Sequence, residues 1–122
     1  MVGVLLVEDN EDLRDSVADL LRLWDARPVA LRSLAEVEAH AAEALACDLA
    51  ILDINLGPGV PSGIGVYRWL RERRFGGRIV FLTGHARSHP LVAEALRLDD
   101  VRVFDKPIEA QILRRLVAGE PS

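Results

Sequence analysis

The stretch Val2-Gly3-Val4-Leu5-Leu6-Val7-Glu8-Asp9 runs apolar without a break and then stops at two adjacent acids. A strand with one wet face would alternate, so a continuous run marks a strand buried on both faces. Directly after it, Leu13, Val17, Leu20, Leu21 and Trp24 recur at helical spacing on one stripe. The chain therefore opens strand then helix, and the same alternation continues outward from there.

Pro28 to Leu31 reads as a second short strand. Ser33 with Glu36 forms a capping box that opens a helix carrying Leu34, Val37, Ala41 and Leu45. Leu49 to Leu52 is the third strand and ends at Asp53. Gly57, Pro58, Gly59 and Pro61 make Asn55 to Ser62 a long loop. A third helix runs from about Ile64 to Arg74 and is stopped by Gly76-Gly77. Arg78 to Leu82 is the fourth strand. Pro90 suits the first turn of a helix that runs to about Leu98. Val101 to Phe104 is the fifth strand. Pro107 opens a last helix with Ile108, Ile112, Leu113 and Leu116, and Gly119 with Pro121 ends it, leaving 119–122 as a short tail. Five such units joined by right-handed crossovers predict an α/β domain, doubly wound around a five-stranded parallel sheet with five helices. The expected strand order is the flavodoxin-like 2-1-3-4-5.

Composition bounds the function. A chain of 122 residues makes a single domain, 1–122, with a real core. Half its residues are hydrophobic and 28% are charged, an ordinary globular balance. A net charge of −4 supplies no basic footprint for nucleic acid or an anionic membrane surface. No apolar run approaches the length of a membrane span, so the expected compartment is the cytoplasm. Cys47 stands alone, which excludes an intrachain disulfide and a cysteine-based zinc site. Of the 15 basic residues, all but Lys106 are arginine. A compact ammonium is a different tool from a planar guanidinium, so that position asks for a chemical reason.

The polar residues fall in a pattern. In an open parallel sheet, ligands bind beyond the carboxyl ends of the strands. Strand one ends in Glu8-Asp9, strand three in Asp53 and strand four in Thr83, and strand five leads to Lys106. Strand two ends in Arg32 and Ser33, and Ser33 is spent as a cap. Four neighbouring strands thus deliver polar groups to one rim, and the edge strand delivers none. Three converging carboxylates repel each other, a conflict that a hard, oxygen-seeking cation such as Mg²⁺ resolves. Cation, ammonium and hydroxyl around a further carboxylate make a site for a transferring phosphoryl group.

Val4-Leu-Leu-Val-Glu-Asp-Asn, Leu52-Asp-Ile-Asn, Phe81-Leu-Thr-Gly and Phe104-Asp-Lys-Pro together resemble the four signature segments of response-regulator receiver domains. Asp9 lies 44 positions before Asp53, and Thr83 lies 30 after it, as that family would have them. The resemblance spans essentially the whole chain. It implies that Asp53 accepts a phosphoryl group from a histidine kinase or phosphotransfer protein, and that the domain then switches to regulate a partner or output domain. It also implies that Asp9 binds Mg²⁺ directly, Glu8 through water, and Asn55 by its backbone carbonyl. Thr83 would bond the phosphoryl oxygens and Lys106 would pair with them. Asn55 and His85 occupy positions that influence hydrolysis of the acyl phosphate.

Three departures stand out. The proline and glycine of the family's loop fall late, at Pro58 and Gly63, so that loop reads as longer by one or two residues. Val103 stands where the family has its aromatic switch residue, and Phe104, one place on, belongs to the opposite face of the strand. Thr83-Gly84-His85 with Val103 resembles receivers associated with hybrid sensor kinases. The loop from Thr83 to Pro90 is therefore expected to carry the switch. Blander readings attach elsewhere: His40, His85 and His89 as surface or loop residues, Cys47 and Trp24 as core. Tyr67 and Trp69 cannot both face the sheet, so one is expected at the surface.

Rival functions fit less well. An aspartyl-nucleophile phosphatase would carry its nucleophile after strand one, whereas the candidate here is on strand three, and a nucleotide-binding module would need a glycine-rich phosphate loop that the turn after strand one lacks. A pseudo-receiver, acting only as an interaction domain, would lack a site residue, and here none is missing.

Overall fold

The computed structural model describes residues 1–119. It contains the expected five-stranded parallel sheet in the order β2-β1-β3-β4-β5, with β1 at Gly3–Val7, β2 at Arg27–Leu31, β3 at Leu49–Asp53, β4 at Arg78–Thr83 and β5 at Val101–Asp105. Every residue of β1 and β3 is buried, the consequence of helices on both faces. The helices are α1 (Glu11–Leu23), α2 (Leu34–Ala39), α3 (Ala41–Leu45), α4 (Gly63–Glu72), α5 (Pro90–Leu96) and α6 (Ala110–Ala118).

Two cores result, one on each side of the sheet. Leu5, Val7, Ala50, Leu52, Ile64, Leu70 and Phe81 belong to one, and Val4, Leu6, Val17, Leu21, Ile51, Leu82 and Leu113 to the other. Alternate residues of each strand feed opposite cores, as the pleat requires.

Among the described residues there are six helices rather than five, because the second predicted helix breaks at His40. Its N–H is shared between the carbonyls of Glu36 and Val37, the tightening that closes a helix end. Its ring then pairs with Glu43 at 3.5 Å in the following turn. The helix after the long loop ends at Glu72, ahead of the glycine pair, because Arg74 itself adopts the left-handed conformation at φ 61°. Pro107 does not open the last helix. Glu109 takes the extended N-cap conformation instead, and residues 106–109 carry the chain from the sheet rim to the helix layer. Gly119 closes α6 in the left-handed conformation, and the rest of the predicted tail, 120–122, lies outside the described residues. Trp69 is buried and Tyr67 is half-buried against Phe81, its hydroxyl donating to Asp100 at 2.7 Å. Both aromatics are therefore packed, on a wider apolar face than a single stripe. Val103 and Phe104 do pack against opposite cores.

Candidate functional site

Parallel strands put all their carboxyl ends at one rim, and the site is built from what each strand releases there. Glu8 follows β1 directly. Its N–H donates to the Leu31 carbonyl at 3.0 Å, so it stays within the sheet and is 2% exposed. Asp9, the next residue, is exposed. The turn beyond is fixed by Asn10, whose N–H donates to Glu8 Oε2 at 3.1 Å and whose Oδ1 caps α1 by accepting from Leu13 at 2.9 Å. Arg14 adds a guanidinium bond to the Glu8 carbonyl at 2.9 Å.

Asp53 is the last residue of β3 and is 4% exposed. The chain returns to its backbone after the long loop. Gly63 donates to the Ile54 carbonyl at 2.8 Å, and a Cβ there would stand 2.2 Å from the Asp53 carbonyl oxygen. Only glycine fits, so Gly63 ends the lengthened loop and anchors α4 against the acid.

Lys106 follows β5. Its N–H donates to the Thr83 carbonyl at 2.8 Å, which ties it to the end of β4. Its Nζ reaches Glu8 Oε1 at 2.7 Å and Asp53 Oδ2 at 3.0 Å. Thr83 is buried, does not line the cleft, and its Oγ1 accepts from the His85 N–H at 3.0 Å. Asn55 Oδ1 accepts from Gly57 at 3.0 Å, and its amide nitrogen lies 3.2 Å from His85 Nε2. The His85 ring stacks on His89 at 4.6 Å, and His89 caps α5 by accepting from Leu91. Glu8, Asp9, Asn10, Asp53, Asn55, His85 and Lys106 line a cleft of about 470 Å³.

The electrostatics follow from this crowding. Burial, and then the charge of Glu8, push Asp53 up to about 7 against the pull of Lys106. Burial works against the Lys106 ammonium, but its bonds to Glu8 and Asp53 outweigh that and leave its pKa raised. Glu8, Asp9 and Asp53 bring carboxylate oxygens within 4.8 Å of one another, with one ammonium among them. The donor set is all oxygen and carries excess negative charge, which suits a hard divalent cation.

Residues 4–118 match the model of the response regulator receiver domain. The chain belongs to the response regulator receiver family of two-component systems. No curated protein matches it. Among solved structures, it is similar to a receiver domain protein from Clostridium thermocellum, with 20% identity, a TM-score of 0.79, and 98% of this chain and 93% of that one covered. A receiver protein from Sinorhizobium medicae WSM419 shares 25% identity at a TM-score of 0.79, covering 97% and 92%. The BeF3-activated DrrB receiver domain shares 24% at a TM-score of 0.72, covering 98% and 96%.

In this receiver domain the predicted site residues gather at one rim, with Thr83 alone set behind the cleft wall. Sequence reasoning passed over Asn10, which the Asn-Glu-Asp start of α1 announced as a cap. It also read His89 as a loop residue, although His-Pro is placed there as cap and first turn. No helix among the described residues is long and apolar enough to cross a membrane.

Proposed function

We propose that this receiver domain accepts a phosphoryl group on Asp53 from a phosphohistidine donor, a histidine kinase or phosphotransfer protein, in a Mg²⁺-dependent reaction in the cytoplasm. The observation that carries this reading is the convergence of buried Asp53 with Lys106, Glu8 and Asp9 at the carboxyl rim. Asp53 Oδ attacks phosphorus in line, the O–P bond forms, and the P–N bond to the donor imidazole breaks. Lys106, already 3.0 Å from Asp53, pairs with the incoming phosphoryl oxygens. Asp9, Asp53 and the Asn55 carbonyl would hold Mg²⁺ directly and Glu8 through water, and the cation would supply charge neutralisation at the transferring group. Thr83 reaches the phosphoryl group by trading its bond to the His85 N–H, so phosphorylation draws on the loop after β4. That movement is the switch offered to a partner protein or output domain.

The test is incubation with acetyl phosphate and Mg²⁺, followed by mapping of the acyl phosphate. Label on Asp53 that disappears in Asp53→Asn supports the reading. Absence of label on wild type leaves the pseudo-receiver, an interaction domain without phosphotransfer.

A further inference from the structure

The pole of the domain opposite Asp53 carries an apolar patch that takes no part in the cleft. Val2 leads into β1, and Leu23 and Trp24 close α1, so the patch lies at the amino ends of the strands. Leu23 is 75% exposed. One surface leucine is ordinary, but here Val2, Leu23, Trp24 and Val117 border a single hollow of about 330 Å³.

Two unmatched charges line the same hollow. Asp25 follows α1 in the left-handed conformation at φ 60°, its N–H donating to the Arg22 carbonyl at 3.1 Å. A helix end favours glycine or asparagine in that conformation and a cation nearby, so an acid is the wrong charge for its own helix. Arg114 of α6 lies over the Trp24 ring at 6.0 Å. Among the described residues, neither Asp25 nor Arg114 has an ion-pair partner.

A patch with an apolar centre, one unmatched acid and one unmatched base is complementary to itself. A two-fold axis through Leu23 and Trp24 sets Asp25 of one copy against Arg114 of the other, and the reverse, so every unmatched charge finds its opposite. We propose that this face is the contact between two copies of the chain, in an isologous dimer that leaves both Asp53 clefts open. The proposal stands independently of the phosphoacceptor reading. The face is small beside the ~800 Å² per partner of a standard interface, so the dimer is weak, with a Kd on the order of 100 µM.

Sedimentation equilibrium on the metal-free protein measures it. The chain is expected to be mostly monomer at about 10 µM and about four-fifths dimer at about 1 mM, as that Kd requires. Leu23→Asp, at a position exposed enough to spare the fold, is expected to weaken association at least about tenfold. Arg114→Asp and Asp25→Arg are each expected to weaken it about tenfold, because each reversal acts twice across the axis. The double reversal is expected to restore the wild-type Kd to within about threefold. Arg74 already holds an arginine at φ 61° in this chain, so Asp25→Arg suits its backbone. Thermal unfolding of each variant separates a lost contact from a lost fold. Concentration-dependent amide shifts are expected on residues 23–25 and 114–118. A monomer at about 1 mM, a dimer indifferent to Leu23→Asp, a double reversal no better than the single ones, or shifts confined to other faces overturns the proposal.

Discussion

Replacing Asp53 with asparagine is expected to stabilise the metal-free protein while removing the proposed phosphoacceptor. Asp53 is 4% exposed, stands beside Glu8, and has its pKa raised from 3.8 to about 7. The folded protein therefore keeps a proton that the unfolded chain releases near pH 4. Stability falls as pH rises through the window from about 4 to about 7, and is flat above it. The full shift of about 3 units corresponds to about 4 kcal/mol. The amide cannot reproduce both contacts of the carboxylate, so about 2 kcal/mol is the expected gain for Asp53→Asn at about pH 8. That raises Tm by roughly 8 °C in a domain of this size. Thermal or urea unfolding in EDTA measures it. The gap should shrink towards about pH 4, where both forms are neutral, and again on adding Mg²⁺, which can bind the wild-type carboxylate. Equal stability of the two proteins at about pH 8 in EDTA, or a gap independent of pH, would refute the reasoning.

Gly63→Ala forces a Cβ to 2.2 Å from the Asp53 carbonyl oxygen and is expected to cost at least about 2 kcal/mol in urea unfolding, with slower phosphorylation in what remains folded. Asn10→Ala removes the cap of α1 and the side chain that shapes the Glu8 turn, and should cost about 1 kcal/mol by the same measurement. Beryllofluoride with Mg²⁺ is expected to shift backbone amide signals of residues 84–92 more than those of Val103 and Phe104. Large shifts confined to Val103 and Phe104 would place the switch on β5 instead.

The sheet was legible because its signal is redundant. Val4 to Val7 and Leu49 to Leu52 are apolar on consecutive positions, and only a strand covered on both faces buries both sets. The rim was legible for a related reason: acids at the ends of such runs have no packing role to explain them. Helix ends were less legible, since they turn on single backbone conformations. Arg74, not the glycine pair expected to stop the helix, takes the left-handed φ. His40 ends a helix through shared hydrogen bonding of its N–H, which leaves no mark in an alanine-rich sequence.

What the sequence withheld about the site is which polar group meets which. Its pattern placed Glu8, Asp9, Asp53, Thr83 and Lys106 at one rim, and the resemblance gave Asp9 a direct and Glu8 a water-mediated place at the metal, but neither paired Glu8 with Lys106. Geometry separates the two acids, because the pleat sends successive side chains to different places: Glu8 inward to the ammonium, Asp9 outward to the cleft. The same rule separates Val103 from Phe104, which pack against opposite cores. Val103 pairs with Phe81 across β4 and β5, and Phe81 carries the Tyr67 ring, whose hydroxyl donates to Asp100. Val103 is too short to swing between buried and exposed positions, and Phe104 already serves the other core. The freedom in this rim lies in the turn from Thr83 to His89, where Gly84, His85 and their neighbours are exposed and held mainly by the Thr83 hydroxyl and the Asn55 amide. The Asn55 contact lines the cleft that holds Asp53 and the Thr83 contact lies behind its wall, so a phosphoryl group on Asp53 would compete for the bonds that hold the turn.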